Sequence, residues 1–474
     1  MMDLFINLMI LQALMGAFDT LYHHEFKVAL PRCPNARLEL SIHAIRAILY
    51  SIVFMGLAWY EWGGLWVWLL ISIVLIEVGL TLWDFVIEDT TRLLPASERV
   101  THTLLAINGG AAFVLLAIIL PEWFSRSTEF YAIDYGWKSW FLSVGAIGVG
   151  LSGIRDGLAA WAVQRLDLHL GLDVGGHKRF LISGGTGFIG SALIRELLYM
   201  GHDVTVISRR PLAAAMQFAG KVRAVSSANE LSAQECFDVV INLAGAPVVG
   251  LPWSTQRKRV ITQSRLNITR DLLSFVRKSH QRPPVWVQAS AIGYYGPTSE
   301  IPVDETSSSG SGFAAELCRQ WEDMTTELEA LSIRCIILRF GLVFGRSGGS
   351  LPMMLLSFRM GMGGVIGDGK QFMSWIHIED LLRLIAYSVK DPSVSGAINA
   401  VAPDVPTYEQ FAKATGRMLH RPVLMTIPAS LLRTLLGEMA SMFVDGPKIV
   451  SGRLDKMQFE YRFPELRAAL MDLT

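Results

Sequence analysis

Neither sign of charge prevails in this chain: 42 Lys and Arg stand against 42 Asp and Glu, and charged residues fill only 18% of 474 positions. With no net charge and no long basic stripe, electrostatic capture of a polyanion is excluded and nucleic acid is not expected as a partner. Cysteine is equally sparse. Cys33, Cys236, Cys318 and Cys335 lack the paired spacing of a zinc ribbon or a redox motif and read as small buried hydrophobes. What the chain has in excess is apolar residues, 51% of the total, and that surplus lies before about residue 165. Modules suited to two different solvents follow: an all-α membrane bundle over 1–165, a linker over 166–177, a soluble α/β module over 178–420 and a small cap over 421–474.

Apolar stretches at about 4–22, 42–60, 65–83, 101–120 and 139–157 are each long enough to cross a bilayer, which is the partner they imply. The first carries Asp3 in place of a basic start and Gln12 within the run, so it reads as a retained helix and not as a cleaved signal. Five spans put the two ends of the bundle on opposite sides. Lys27, Arg32, Arg37, Arg92, Arg99, Arg155 and Arg165 fall on the side of the soluble module, against Arg126 and Lys138 on the other, so that module is expected in the cytoplasm.

Three helices carry an acid four residues before a histidine: Asp19 with His23, Glu39 with His43, and Glu98 with His102. That step places both side chains on one helix face. Glu77, Asp84 and Glu88 share a face of the third helix in the same way, and the topology gathers most of these groups at the cytoplasmic end of the bundle, with Glu77 deepest. His23, Glu39, His43, Asp84, Glu88, Glu98 and His102 are therefore candidate ligands for a metal ion, since inward-pointing imidazoles and carboxylates are how helical bundles hold iron, manganese or zinc. The bland alternative is a set of interfacial residues, with Glu39 and Glu98 as first-turn acids favoured by the helix dipole.

After the fifth span the periodicity changes. Arg179–Ser183 reads as a strand, Gly184, Gly185, Thr186, Gly187, Phe188, Ile189 and Gly190 form a glycine turn, a helix begins near Ser191, and a second strand runs from His202 to Ser208. This is the first unit of a Rossmann-type, doubly wound parallel sheet. Glycine serves the tight turn at 184, close approach of a diphosphate at 187, and packing of helix on strand at 190. An NAD site usually places an acid after the second strand, where this chain has Ser208, Arg209 and Arg210. Two guanidinium groups there suit a 2′-phosphate, so the expected cofactor is NADP(H). Asn242, Leu243, Ala244 and Gly245, at the end of a fourth strand, are expected to border the same crevice.

From about Phe180 onward the chain resembles the epimerase-family proteins of the atypical extended short-chain dehydrogenase/reductases. The likeness rests on Gly184 to Gly190, Ser208 to Pro211, Asn242 to Pro247, Gly293 to Gly296, Trp321-Glu322 and Trp375 to Asp380, with a C-terminal cap after about Arg421. It implies epimerisation of a nucleotide sugar through transient hydride transfer, with a tyrosine as general acid/base and a lysine lowering its pKa. The Tyr-x-x-x-Lys pair is missing. Where it belongs, the chain offers Phe313 with Leu317 or Ala314 with Cys318, depending on register. Ser290, Tyr294 and Tyr295 remain as catalytic candidates, and Arg319 as a substitute cation. His377 and Asp380 read as structural, with Asp380 starting a helix to Val389. A non-catalytic NADP(H) sensor, or a redox protein pairing a bundle metal with NADP(H), are the competing readings.

Overall fold

The computed structural model describes the chain apart from residues 28–36, 92–95, 165–168, 251, 298–301 and 347. Arg32, Cys33, Arg92, Arg165, Leu251 and the first residues of the expected linker, 166–168, lie outside the described residues. The chain divides into two compact units, Met1–Leu168 and His169–Thr474.

The first unit consists of helices α1 (Met2–Phe18), α2 (Arg37–Trp59), α3 (Trp66–Thr91), α4 (Ala96–Phe124) and α5 (Trp137–Gln164). All five spans are long and apolar enough to cross a membrane. Their outward faces carry Leu75, Ile107 and Val144, each about two-thirds exposed within the unit, which is the pattern of helices that face lipid. Small residues let α2 and α5 approach closely: a Cβ on Gly153 would stand 2.9 Å from Ala47 Cβ, and one on Gly150 would stand 2.9 Å from Ser51 Oγ. Polar groups join α1 to α4, where Asn108 Nδ2 donates to Leu8 O (3.0 Å) and to Gln12 Oε1 (2.8 Å). Beyond α1, residues Asp19–Lys27 continue as a π-helix.

The second unit is built on a seven-stranded, wholly parallel sheet: β1 (Arg179–Ser183), β2 (Asp203–Ile207), β3 (Arg223–Val225), β4 (Val239–Asn242), β5 (Val285–Ala291), β6 (Arg334–Phe340) and β7 (Gly396–Ala400). Spatial order is 7-6-5-4-1-2-3, the doubly wound arrangement whose chain reverses direction between β1 and β4. Alternate residues feed two cores. Phe180, Ile182, Val204 and Val206 pack on Leu193, Ile194 and Leu197 of α6 (Phe188–Tyr199), and on Leu381 and Ile385 of the helix Ile378–Lys390. On the other face, Leu181, Val240 and Trp286 pack on Leu272, Leu273 and Val276 of the long helix Thr255–Lys278.

Three expectations are corrected. Residues 169–177 are not a free linker: Leu172 and Val174 are buried in the sheet core, and Leu170 N donates to Glu196 Oε2 at 2.9 Å. Helix α6 starts at Phe188 with Gly187 as its cap, three residues before Ser191, so its N-terminus lies inside the glycine turn. The helix expected from Asp380 starts at Ile378, capped by His377, whose Nδ1 accepts from Glu379 N. Asp380 is wholly buried and accepts from Arg462 N (2.6 Å) and Phe463 N (2.9 Å), tying the C-terminal segment to the helix Ile378–Lys390. The end of the chain closes on a core of its own, in which Leu466, Ala469 and Leu470 meet Tyr408 and Phe411.

Candidate cofactor and active site

The glycine turn leaves β1 with Gly184 at φ +74°, where a Cβ would fall 2.6 Å from Leu243 C and 2.7 Å from Ala244 N. Only glycine lets the β1 and β4 ends approach this closely. At Gly190 a Cβ would lie 2.3 Å from Gly184 O, so the first turn of α6 rests directly on the end of β1. Gly187 differs: its nearest contact would be 3.2 Å away, and it is exposed beside Thr186 at the helix N-terminus. Its bare backbone faces outward at the N-terminus of α6, the positive end of the helix dipole. Phe188 turns the other way, against Gly345, Gly348 and Gly349, and Ile189 is half-buried.

At the end of β2, Ser208 Oγ accepts from Arg210 N at 3.2 Å. Arg209 and Arg210 are both exposed, and neither forms an ion pair among the described residues. At the end of β4, Leu243 N donates to Ser183 O, and Leu243 and Ala244 lie directly against Gly184 of the glycine turn. Behind Gly245 sits the half-buried Arg265, which donates from one guanidinium nitrogen to Ala246 O (3.1 Å) and Ile261 O (3.0 Å). Burial pushes its pKa down from the ordinary value, as for any cation withdrawn from water.

Asn242 is held within the fold. Its side chain is fully buried and accepts from Ser183 Oγ (2.6 Å) while donating to Thr269 Oγ1 (2.8 Å) and Gln288 Oε1 (3.0 Å). The carboxamide braces β1, β4 and β5 against each other, with both amide hydrogens used within the fold.

Two of the three catalytic candidates are likewise engaged. Ser290 Oγ donates to Glu322 Oε1 at 2.5 Å, and Glu322 receives Arg339 through two bonds, Nε to Oε1 (3.0 Å) and a terminal nitrogen to Oε2 (2.8 Å). Arg339 also donates to Tyr295 Oη (2.8 Å), which donates in turn to Asn399 Oδ1 (2.8 Å). This buried chain links β5, β6, β7 and the helix Phe313–Asp323. Glu322 stands in the sequence only as part of the Trp321-Glu322 motif, Arg339 and Asn399 belong to no motif, and an Arg on a strand with a Glu seventeen residues earlier is no local signal. Tyr294, by contrast, is half-buried, and its hydroxyl makes no hydrogen bond among the described residues. The Arg339 guanidinium lies 3.5 Å from its ring centroid, fixing the ring from one side.

The register of the missing pair is now resolved. A Cβ on Gly293 would stand 3.2 Å from Ala314 Cβ, so Ala314 and Cys318 face the end of β5. Burial pushes the Cys318 thiol up to about 11. Arg319 is exposed on the opposite face and pairs with Glu316, so it does not replace the lysine.

Residues 180–400 match the NAD dependent epimerase/dehydratase family, and residues 427–473 match a domain of unknown function, DUF1731. The epimerase family protein SDR39U1 of Mus musculus is 38% identical over 299 residues, covering 62% of this chain and 99% of that protein. The chain belongs to the epimerase family. Another epimerase-family relative, YfhF of Bacillus subtilis, is 35% identical over 295 residues and is covered over 96% of its length. The crystal structure of human epimerase family protein SDR39U1 (isoform 2) with NADPH superposes with a TM-score of 0.57 at 35% identity, over 62% of this chain and 98% of that one. The matched family segments begin at residue 180 and leave the five-helix unit outside.

In that first unit five of the seven candidate metal ligands fall into two sets that share a residue. Glu39, His43 and Glu88 form one set, and Glu88, Glu98 and His102 a second, with the potential ligand atoms of each set within 4.8 Å of one another. His23 and Asp84 belong to neither. His23 Nδ1 bonds Asp19 Oδ1 (2.8 Å) and its Nε2 meets Ser97 Oγ (3.2 Å). Asp84 accepts from His43 Nε2 (3.0 Å) and Arg46 (2.6 Å), and Glu77 lies deeper, accepting from Thr81 Oγ1 (2.7 Å).

Proposed function

We propose that the second unit is an NADP(H)-dependent oxidoreductase acting on a small molecule, tethered by the five-helix unit to the cytoplasmic face of a membrane. The observation that carries the cofactor reading is the juxtaposition at the β1 and β2 ends. A glycine turn that only glycine can form delivers the N-terminus of α6 to a diphosphate, and the exposed, ion-pair-free Arg209 and Arg210 stand where a 2′-phosphate would lie. The human relative solved with NADPH supports the same reading. The charges flanking the spans support the cytoplasmic orientation.

When bound, the nicotinamide would supply a hydride to a carbonyl carbon, or accept one from the corresponding alcohol. The chain's own part is then the proton on oxygen. Tyr294, at the end of β5 and held by Arg339, is the candidate whose hydroxyl is not already engaged in the buried chain, and we assign it that transfer. Ser290 and Tyr295 act as positioning residues, holding the β5 turn through Glu322 and Asn399.

NADPH and NADH titrations of the full chain in detergent test the first step. Arg209→Ala with Arg210→Ala is expected to weaken NADPH by roughly 10- to 100-fold, the loss of one or two charge-assisted hydrogen bonds, and to leave NADH unchanged. Equal wild-type affinity for both cofactors would contradict the assignment. For the second step, labelled NADPH is incubated with a membrane extract: product abolished by Tyr294→Phe supports hydride chemistry. A sensor is the alternative, favoured by Ala314 and Cys318 at the positions of the proton-transfer pair. Tight NADPH binding without turnover by the wild type would establish that alternative.

A further inference from the structure

We infer that the five-helix unit holds two first-row transition-metal ions bridged by Glu88 of α3, with Glu39 and His43 of α2 on one ion and Glu98 and His102 of α4 on the other. The two ligand sets share one residue, and that residue comes from the helix between the other two in sequence. Each outer helix contributes an acid and an imidazole four residues apart, hence on one face. Glu39, Glu88 and Glu98 are each 0–1% exposed, so all three present their carboxylates inside the bundle. A metal at roughly 2.1 Å from its ligands sets them up to about 4.2 Å apart, so sets already within 4.8 Å need to close by only a few tenths of an ångström.

An independent feature points to metal ligation. Histidines that bind metals pass the other ring N–H to a carboxylate, which fixes the tautomer and raises ligand basicity. Here both do so. His43 Nε2 lies 3.0 Å from Asp84 Oδ2, and His102 Nε2 lies 3.1 Å from Asp19 Oδ2. In each ring Nδ1 is then the ligating nitrogen, and that of His102 lies 3.3 Å from Glu88 Oε2. The outer carboxylates are themselves fixed, Asp84 by Arg46 and Asp19 by His23. Asp19 and His23 sit on the π-helix that follows α1, a rare backbone form that concentrates at functional sites. The donor set, three carboxylates and two imidazoles, suits iron, manganese or zinc and not a soft thiolate metal.

A cavity of about 860 Å³ lies among these helices, and Asp19, His43, Asp84 and His102 form part of its wall beside Phe85 and Phe113. The two metals would be reached from this partly open, largely apolar space. The molecule that fits it is an apolar one with an oxygen-bearing end to meet the metals, as a catalytic and not merely structural site requires.

Metal content of the full chain, purified in detergent without chelator and reconstituted separately with Fe(II), Mn(II) and Zn(II), tests the inference. The wild type is expected to retain about two equivalents of one of these metals per chain, His43→Ala and His102→Ala about one each, and Glu88→Ala fewer than about 0.3. Asp84→Asn and Asp19→Asn, which remove only the outer partners, are expected to weaken metal binding by roughly 10- to 100-fold while keeping the ligands. Elution of every variant as a monodisperse species in detergent, with the helical circular dichroism of the wild type, serves as the control for folding of the bundle and is expected to be unchanged. Should Glu88→Ala fail to accumulate, the isosteric Glu88→Gln is measured in its place with the same expectation. A wild type holding fewer than about 0.3 equivalents of all three metals, or a Glu88 variant with full content, would overturn the site. Because the readout is metal and not turnover, the result is independent of the oxidoreductase reading.

Discussion

At the residue scale, adjacent tyrosines in one short turn have opposite fates. Residues 292–295 form a single 3₁₀ turn, so successive side chains point about a third of a revolution apart. Tyr295 goes inward to Asn399 and Arg339, and Tyr294 stays at the surface with Arg339 against its ring. Tyr295→Phe is expected to lower stability by about 1–3 kcal/mol, because it strands the Asn399 carboxamide oxygen and removes an acceptor from Arg339. Glu322→Gln should cost more, about 3–5 kcal/mol, since it leaves the buried Arg339 guanidinium without its counter-charge. Both are read as the lowering of the thermal transition that NADPH raises. Tyr294→Phe, in contrast, should leave that transition in place.

Elements here are positioned by what glycine omits. In the nucleotide turn, a methyl at 190 has no room against Gly184 O, so Gly190→Ala is expected to push α6 off the end of β1 and abolish measurable NADPH binding. Gly187→Ala is the informative control. Its added methyl meets the chain's own atoms only at 3.2 Å, so fold should be kept and cofactor affinity alone should fall. The bundle uses the same device between α2 and α5: Gly153→Leu, facing Ala47 and the Ala44 carbonyl, is expected to separate the two helices and lower the yield of folded protein in detergent.

On the scale of the whole molecule, the second unit is closed by its own tail. Asp380 binds two backbone N–H groups at 462 and 463, Asn399 Nδ2 donates to Val450 O, and Ser374 Oγ donates to Ile449 O and accepts from Ile449 N. Asp380→Ala is expected to release the segment after Phe459, seen as new protease cleavage there under conditions in which the wild type is resistant. Residues 169–474 have a complete core and all the nucleotide-facing residues. Expressed without the bundle, they should bind NADPH within about threefold of the full chain.

The amino-acid sequence by itself determined the features whose physics is local. Five apolar runs of bilayer length, a strand–glycine–helix turn followed by two arginines, and acid–histidine pairs at helical spacing are each set by neighbours within a few residues. It also showed that no Tyr-x-x-x-Lys pair exists. Only the tertiary structure decided which members of each set do what. Glu322, Arg339 and Asn399 are far apart along the chain and meet because β5, β6 and β7 are neighbours in the sheet, and that meeting engages Ser290 and Tyr295 while leaving Tyr294. In the bundle, helical spacing marks seven acids and imidazoles alike. The packing of α2, α3 and α4 places Glu88 between two histidines and moves Asp84 and His23 one layer out, because a ligand set is defined by distances across helices that no single helix encodes.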